Sequence, residues 1–170
     1  MAKHQVPTGS PFGLLTDEES RAWFAYMKLQ LRLRYEMNRQ LQADSGISLA
    51  DYDVMVALTS AEGARMSMSA LATRIGWERS RTSHHVKRMT GRGLLALSPS
   101  AADRRVTEVS LSAEGWGVLR DATPRHVELV RSMFFSGLDP ALLDALSASL
   151  EQAYETVIEH GTLPRPDDHP

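Results

Sequence analysis

Residues 68–95 read MSALATRIGWERSRTSHHVKRMTGRGLL, and this stretch decides the fold. Met68, Leu71, Ala72 and Ile75 recur at helical spacing and make a short apolar face that ends at Gly76. Glycine suits a tight turn between crossing helices because it takes positive φ without steric penalty. Beyond the turn, Thr82, His85, Val86, Met89 and Leu94 are placed to face inward, while Ser80, Arg81, Ser83, His84, Lys87 and Arg88 fall on other faces. Two short helices joined by a turn, the second of them basic, predict a helix-turn-helix. Trp77 is expected to be a hydrophobic anchor between them rather than a base-stacking residue.

Downstream, Leu95 to Ser98 reads as a strand, SPSAADRR (98–105) as a polar loop and VTEVSL (106–111) as a second strand of period two. A hairpin directly after the second helix is the wing of a winged helix. Two arginines at its tip could reach a minor groove, where narrow A·T-rich DNA concentrates negative potential. Upstream, LADYDVMVALTSAE (49–62) has near-helical spacing at Leu49, Tyr52, Val56 and Leu58.

The flanks are helical. Thr16 and Glu19 form a capping box for a helix running to about Asp44, whose apolar band is wide enough to need two covering surfaces, one of them another copy of the chain. Ser112 caps a further helix that should kink near Thr123, ahead of Pro124, and Asp139 with Pro140 starts the last one. The expected fold class is mainly α with a small β-hairpin wing: a winged helix-turn-helix core plus a helical dimerisation lobe. The division is a flexible tail over 1–15, the first helix of the dimerisation lobe over 16–46, the winged core over 47–112, two lobe helices over 113–160 and a tail over 161–170.

The chain of 170 residues has no cysteine, which removes disulfides, thiolate metal sites and thiol chemistry. Its net charge of −2 hides a division. Residues 65–105 hold nine cations against Glu78 and Asp103, a net +7, which leaves −9 for the remainder. Asymmetry of that size points to an anionic partner for the middle segment. The first ten residues resemble no leader and no apolar run is long enough to span a bilayer, so a cytoplasmic location without membrane attachment is expected.

The order MSALATRIGW, ERSRTSHHVKRM, GRGLL and DRRVTEVSLSAEG resembles the MarR family of bacterial winged-helix regulators over roughly 16–160, and the Trp-Glu-Arg-Ser-Arg turn resembles an actinobacterial subgroup. The resemblance implies a homodimeric repressor on a pseudo-palindromic double-stranded DNA operator, released by a small aromatic or anionic effector. It implies DNA contacts from Ser80, Arg81, Ser83, His84, Lys87 and Arg88. It also matches Arg105 to the wing arginine, Asp103 to the acid that orients it and Arg104 to a second cation. Many relatives carry arginine where His84 stands, which bears on the operator sequence.

Trp23, Tyr26, Tyr52 and His126 could line an effector pocket between the lobes or could be core and interface packing. Arg34 and Arg81 could bind a carboxylate or pair with acidic neighbours. No cofactor and no metal are expected: adjacent histidines on a helix diverge by about 100° and cannot chelate as i, i+4 pairs do. No catalytic set is expected either, since Ser83, His84 and Asp103 lack an oxyanion site. The competing class is a winged-helix protein-interaction module without DNA binding.

Overall fold

A computed structural model of the chain describes residues 11–166. After a single 3-10 turn, Pro11–Leu14, the chain runs through helix α1 (Asp17–Ser45) and helix α2 (Leu49–Thr59). Strand β1 (Arg65–Ser67) leads into helix α3 (Met68–Arg74), then helix α4 (Arg79–Gly91). Strands β2 (Leu95–Pro99) and β3 (Thr107–Leu111) precede helix α5 (Ala113–Val130) and helix α6 (Leu143–His160). Most of the tail expected over 1–15, and the end of that expected over 161–170, lie outside the described residues. Within the latter, Arg165 forms a forked pair with Glu155 at 3.0 and 2.6 Å.

Local chemistry sets the boundaries. Thr16 Oγ1 accepts the Glu19 amide at 3.2 Å and the Glu19 carboxylate accepts the Thr16 amide at 2.8 Å, the reciprocal box anticipated for α1. Ser48 and Asp51 make a second such box at α2. Gly76 has φ +67°, and the Trp77 amide donates back to the Ala72 carbonyl at 2.9 Å, closing the turn between α3 and α4. Asp139 caps a 3-10 turn at Pro140–Leu142 that feeds α6.

The sheet has three strands in the order β1-β3-β2, both pairings antiparallel, where a two-stranded hairpin was expected. Met66 and Leu97 both lie opposite Val109, which is fully buried. Three residues of β1 are too few to show period two; their partner strand makes them a strand. α5 is continuous across Pro124, which lies on the exposed side. The helical pattern departs only later, in a π turn at Arg131–Phe135.

One core holds the molecule together. Val54, Met55 and Leu58 of α2, Leu71 of α3, Val86 and Met89 of α4 and Val109 of β3 are all buried, joined by Leu41 of α1 and Leu119 and Ala122 of α5. α1 packs along α5 and touches α2, so the flanking helices are keyed to the winged core. α6 buries no residue at all.

Candidate nucleic-acid interface

α4 presents two faces as its spacing anticipates. Thr82, His85, Val86 and Met89 are buried, whereas Ser80, Arg81, Ser83, His84, Lys87 and Arg88 are exposed. The six side chains expected to meet DNA therefore share the solvent side of one helix. Glu78, at the N-cap, makes no side-chain cap bond, so the positive end of the helix is left open beside Ser80.

The wing projects the second set. Strands β2 and β3 carry the turn over 100–106, in which Asp103, Arg104 and Arg105 are exposed. The Asp103 carboxylate accepts the backbone amide of Arg105 at 2.9 Å, and the Asp103 carbonyl accepts the Val106 amide at 2.9 Å. Asp103 thus shapes the turn through the main chain. Asp103, which the resemblance matches to the acid that orients the wing arginine, is bonded here to the main chain of that arginine.

Beneath α4 lies a buried polar joint that the sequence did not announce. Asp51, 2% exposed, accepts the Ser48 amide at 2.9 Å and the Arg92 guanidinium at 2.8 Å, and Arg92 also reaches the Gly46 carbonyl at 2.8 Å. Arg88 donates to His85 Nδ1 at 3.1 Å, which leaves the ring proton on Nε2. That nitrogen sits 2.9 Å from Asp51 Oδ1, although neither atom has an aligned hydrogen-bond partner. Arg88 therefore supports a histidine from the outer side of α4. Neither the Ser48–Asp51 box nor its link to His85, 34 positions on, was anticipated from the sequence.

Burial pushes the His85 ring below the usual histidine value, with Asp51 raising it and Arg88 and Arg81 lowering it further. Burial lowers His126 in the same way, against a raising influence from Asp53. A ring that resists protonation when folded takes a proton more readily once unfolded, at about pH 6.5. Stability from these groups is complete above that pH and is lost as pH falls toward the lowered folded values. Tm should therefore be lower at about pH 5.5 than at about pH 7.5, and the drop should shrink in His126→Gln. Identical drops in both proteins would clear the ring of responsibility.

The aromatic cluster divides into two pairs. Trp23 and Tyr26 meet in a tilted contact with centroids 5.7 Å apart and are 45% and 49% exposed. Tyr52 and His126 meet at 4.4 Å and line a hollow of about 360 Å³ together with Arg34, Asp53, Val56 and Ile75. Trp23 and Tyr26 are not among its lining residues. His126 Nδ1 lies 3.2 Å from Gln40 Oε1, and Arg34 donates to Asp53 at 3.1 Å, so that arginine pairs with an acidic neighbour. Arg81 instead lies over the Trp77 ring, 4.1 Å from its centroid. Trp77, packed against the core, is the anchor its sequence position suggested.

Among the described residues no helix is long and apolar enough to cross a membrane, and no three His, Asp or Glu side chains group as metal ligands.

A sequence profile of the MarR family matches residues 45–106. AbsC, a MarR family transcriptional regulator from Streptomyces coelicolor, is 34% identical, with 84% of this chain and 96% of that one covered and a TM-score of 0.78. Sco3205, a MarR family transcriptional regulator from the same organism solved in complex with DNA, is 32% identical, with coverages of 88% and 94% and a TM-score of 0.81. BpsR of Bordetella bronchiseptica, whose DNA binding is regulated by 6-hydroxynicotinic acid, is 25% identical, with coverages of 75% and 91% and a TM-score of 0.61. No curated protein matches the chain in sequence.

Proposed function

Since the chain belongs to the MarR family of transcriptional regulators, we propose that it is a homodimeric repressor that binds a pseudo-palindromic operator and releases it on binding a small aromatic or anionic effector. The observation that carries the DNA reading is the sorting of α4: Thr82, His85, Val86 and Met89 are buried, while a hydroxyl, imidazole or cation stands at each of the exposed positions Ser80, Arg81, Ser83, His84, Lys87 and Arg88. α4 enters the major groove, where Ser83 and His84 touch base edges, Ser80 and Arg81 touch bases or phosphates, and Lys87 and Arg88 touch phosphates. The turn over 100–106 follows the adjacent minor groove.

Support for the homodimer comes from bare apolar surface. Leu142, Leu150 and Val157 at and along α6 are 58%, 50% and 65% exposed, and Leu31 and Tyr35 of α1 are 62% and 58% exposed. A patch of that kind is seldom left wet in a monomer. Two copies joined there present two α4 helices to half-sites about 34 Å apart. The division into a dimerisation lobe over 16–46 and 113–160 and a reading core over 47–112 follows from this arrangement, and a DNA-bound regulator of this bacterial family would work in the cytoplasm.

Support for the effector comes from the hollow beside Tyr52 and His126. It sits where α1, α2, α3 and α5 meet, so a ligand there touches both the flanking helices and the element under α4. A ligand that favours one spacing of the two α4 helices shifts the population toward it and weakens DNA binding by its differential affinity. BpsR, which shares the fold, has its DNA binding regulated by a small aromatic acid.

The test is selection of duplexes from a random-sequence pool by the purified protein, followed by fluorescence anisotropy. An enriched sequence with two-fold symmetry and affinity that falls steeply with salt is expected. Ser83→Ala and His84→Ala should change which bases are enriched, by about 1–3 kcal/mol per disturbed contact. A wild-type protein that enriches nothing and binds DNA weakly would instead favour an interaction module on the same scaffold. Unaltered preference in both variants would place the base-reading face elsewhere.

A further inference from the structure

The stack at the start of α4 does more than pack. Arg81 occupies an exposed helical position, yet its guanidinium lies 4.1 Å from the centroid of the Trp77 ring. Trp77 has a partner of its own: its ring and the His85 ring meet in a T-shaped contact, with centroids 5.2 Å apart and an interplanar angle of 85°. His85 is fixed in turn by Arg88 and by Asp51, and Asp51 by Ser48 and Arg92. A line of contacts therefore runs from the first turn of α2 through two rings to one guanidinium on the outer face of α4.

A guanidinium lying flat on a ring keeps its N–H donors in the plane of the fork, directed sideways along the ring face and still able to pair. Those are the donors that pair with O6 and N7 of guanine. An unsupported arginine at an exposed site moves among rotamers and must be ordered when it binds, a loss that falls on affinity. Here the ordering is done before DNA arrives. A phosphate would gain little from this, since any cation nearby attracts it; a base edge, which demands a fixed direction, gains much.

We propose that Trp77 is a positioning residue for sequence discrimination, holding Arg81 ready for a base edge, with His85 and Asp51 holding Trp77. The inference rests on the DNA-binding reading above and assigns to Arg81 the base contact that reading left shared with phosphate. Loss of the stack should lower affinity for the preferred sequence while sparing affinity for arbitrary DNA.

The experiment compares wild type, Trp77→Phe and Trp77→Leu by anisotropy on two probes, the duplex enriched by wild type from a random pool and the same bases shuffled. Trp77→Leu should lose about three- to thirtyfold on the enriched duplex, the range of a cation–π contact, and less than twofold on the shuffled one. Trp77→Phe, which keeps an aromatic face, should retain most of the discrimination. Arg81→Lys keeps the charge but lacks the planar fork; it should lose discrimination to a similar degree, and it serves if Trp77→Leu does not fold. Equal losses on both duplexes, no loss on either, or tighter binding without the ring would each overturn the positioning role. If wild type itself prefers no sequence, the DNA reading fails and this inference fails with it; if wild type discriminates and Trp77→Leu does so equally, only the role of the stack is lost.

Discussion

Gly115→Ala is expected to destabilise the protein by about 3–5 kcal/mol, more than any other single methyl addition described here. A Cβ at this position would lie 2.0 Å from the Leu94 carbonyl oxygen, 3.0 Å from its carbon and 3.3 Å from Leu111 Cδ2. The obstruction is main chain, so no rotamer change relieves it. Leu94 cannot retreat freely either, because its carbonyl accepts the Ser112 amide at 3.1 Å and Ser112 caps α5 through the Gly115 amide at 2.9 Å. The turn after α4, the last strand of the wing and the start of α5 converge on that one contact. Thermal denaturation should show Tm lowered by roughly 10 °C, given about 2–4 °C per kcal/mol for a chain of this size. Gly117→Ala, two residues on, is the control. Its Cβ would meet nothing nearer than the Arg120 guanidinium at 4.0 Å, and alanine is the better helix former, so Tm should hold or rise. A Gly115→Ala protein that melts with wild type would refute the close approach.

The second large effect concerns the wing. Replacing both Arg104 and Arg105 with alanine should weaken operator binding on the order of a hundredfold at about 0.1 M salt and flatten the dependence of log K on log salt by about 2–4 units. The slope is the sharper readout, because it counts phosphates neutralised, whichever sequence is bound. The turn itself should survive: its bonds run through Asp103 Oδ1 and the Asp103 carbonyl to backbone amides, which alanine retains. Asp103→Asn should bind nearly as wild type, since an amide oxygen makes the same bond to the Arg105 amide. An unchanged salt slope in the double variant would leave the wing outside the interface.

How far the sequence could be read depended on the range of the interaction concerned. The α1 capping box, the turn at Gly76, the inward and outward sides of α4 and the strands of the wing are all specified within a few residues, and all were legible. β1 was not, because Arg65 to Ser67 becomes a strand only by pairing with Ser110 to Glu108, more than forty positions away. The same holds for the joint of Asp51, His85 and Arg92, in which each residue alone looks like a capping acid, a packing histidine and a surface cation. The aromatic cluster was legible only in part: Tyr52 and His126, grouped in the sequence reading, do meet, whereas Trp23 and Tyr26 pair with each other and do not line the hollow. Gly115 appeared in the sequence only as part of a pattern, with nothing nearby to mark the carbonyl it passes.

The uncovered leucines and valine of α6 tie DNA occupancy to gene dosage. If a second copy covers them, the species that fills an operator is formed in proportion to the square of the chain's concentration while chains are scarce, and in direct proportion once pairing is complete. Halving expression of a scarce regulator would then cut occupancy about fourfold rather than twofold. A surface that shows up in the single chain as apolar residues without cover would thus act in the cell as a threshold, making the response to a small change in synthesis steeper than binding to DNA alone could make it.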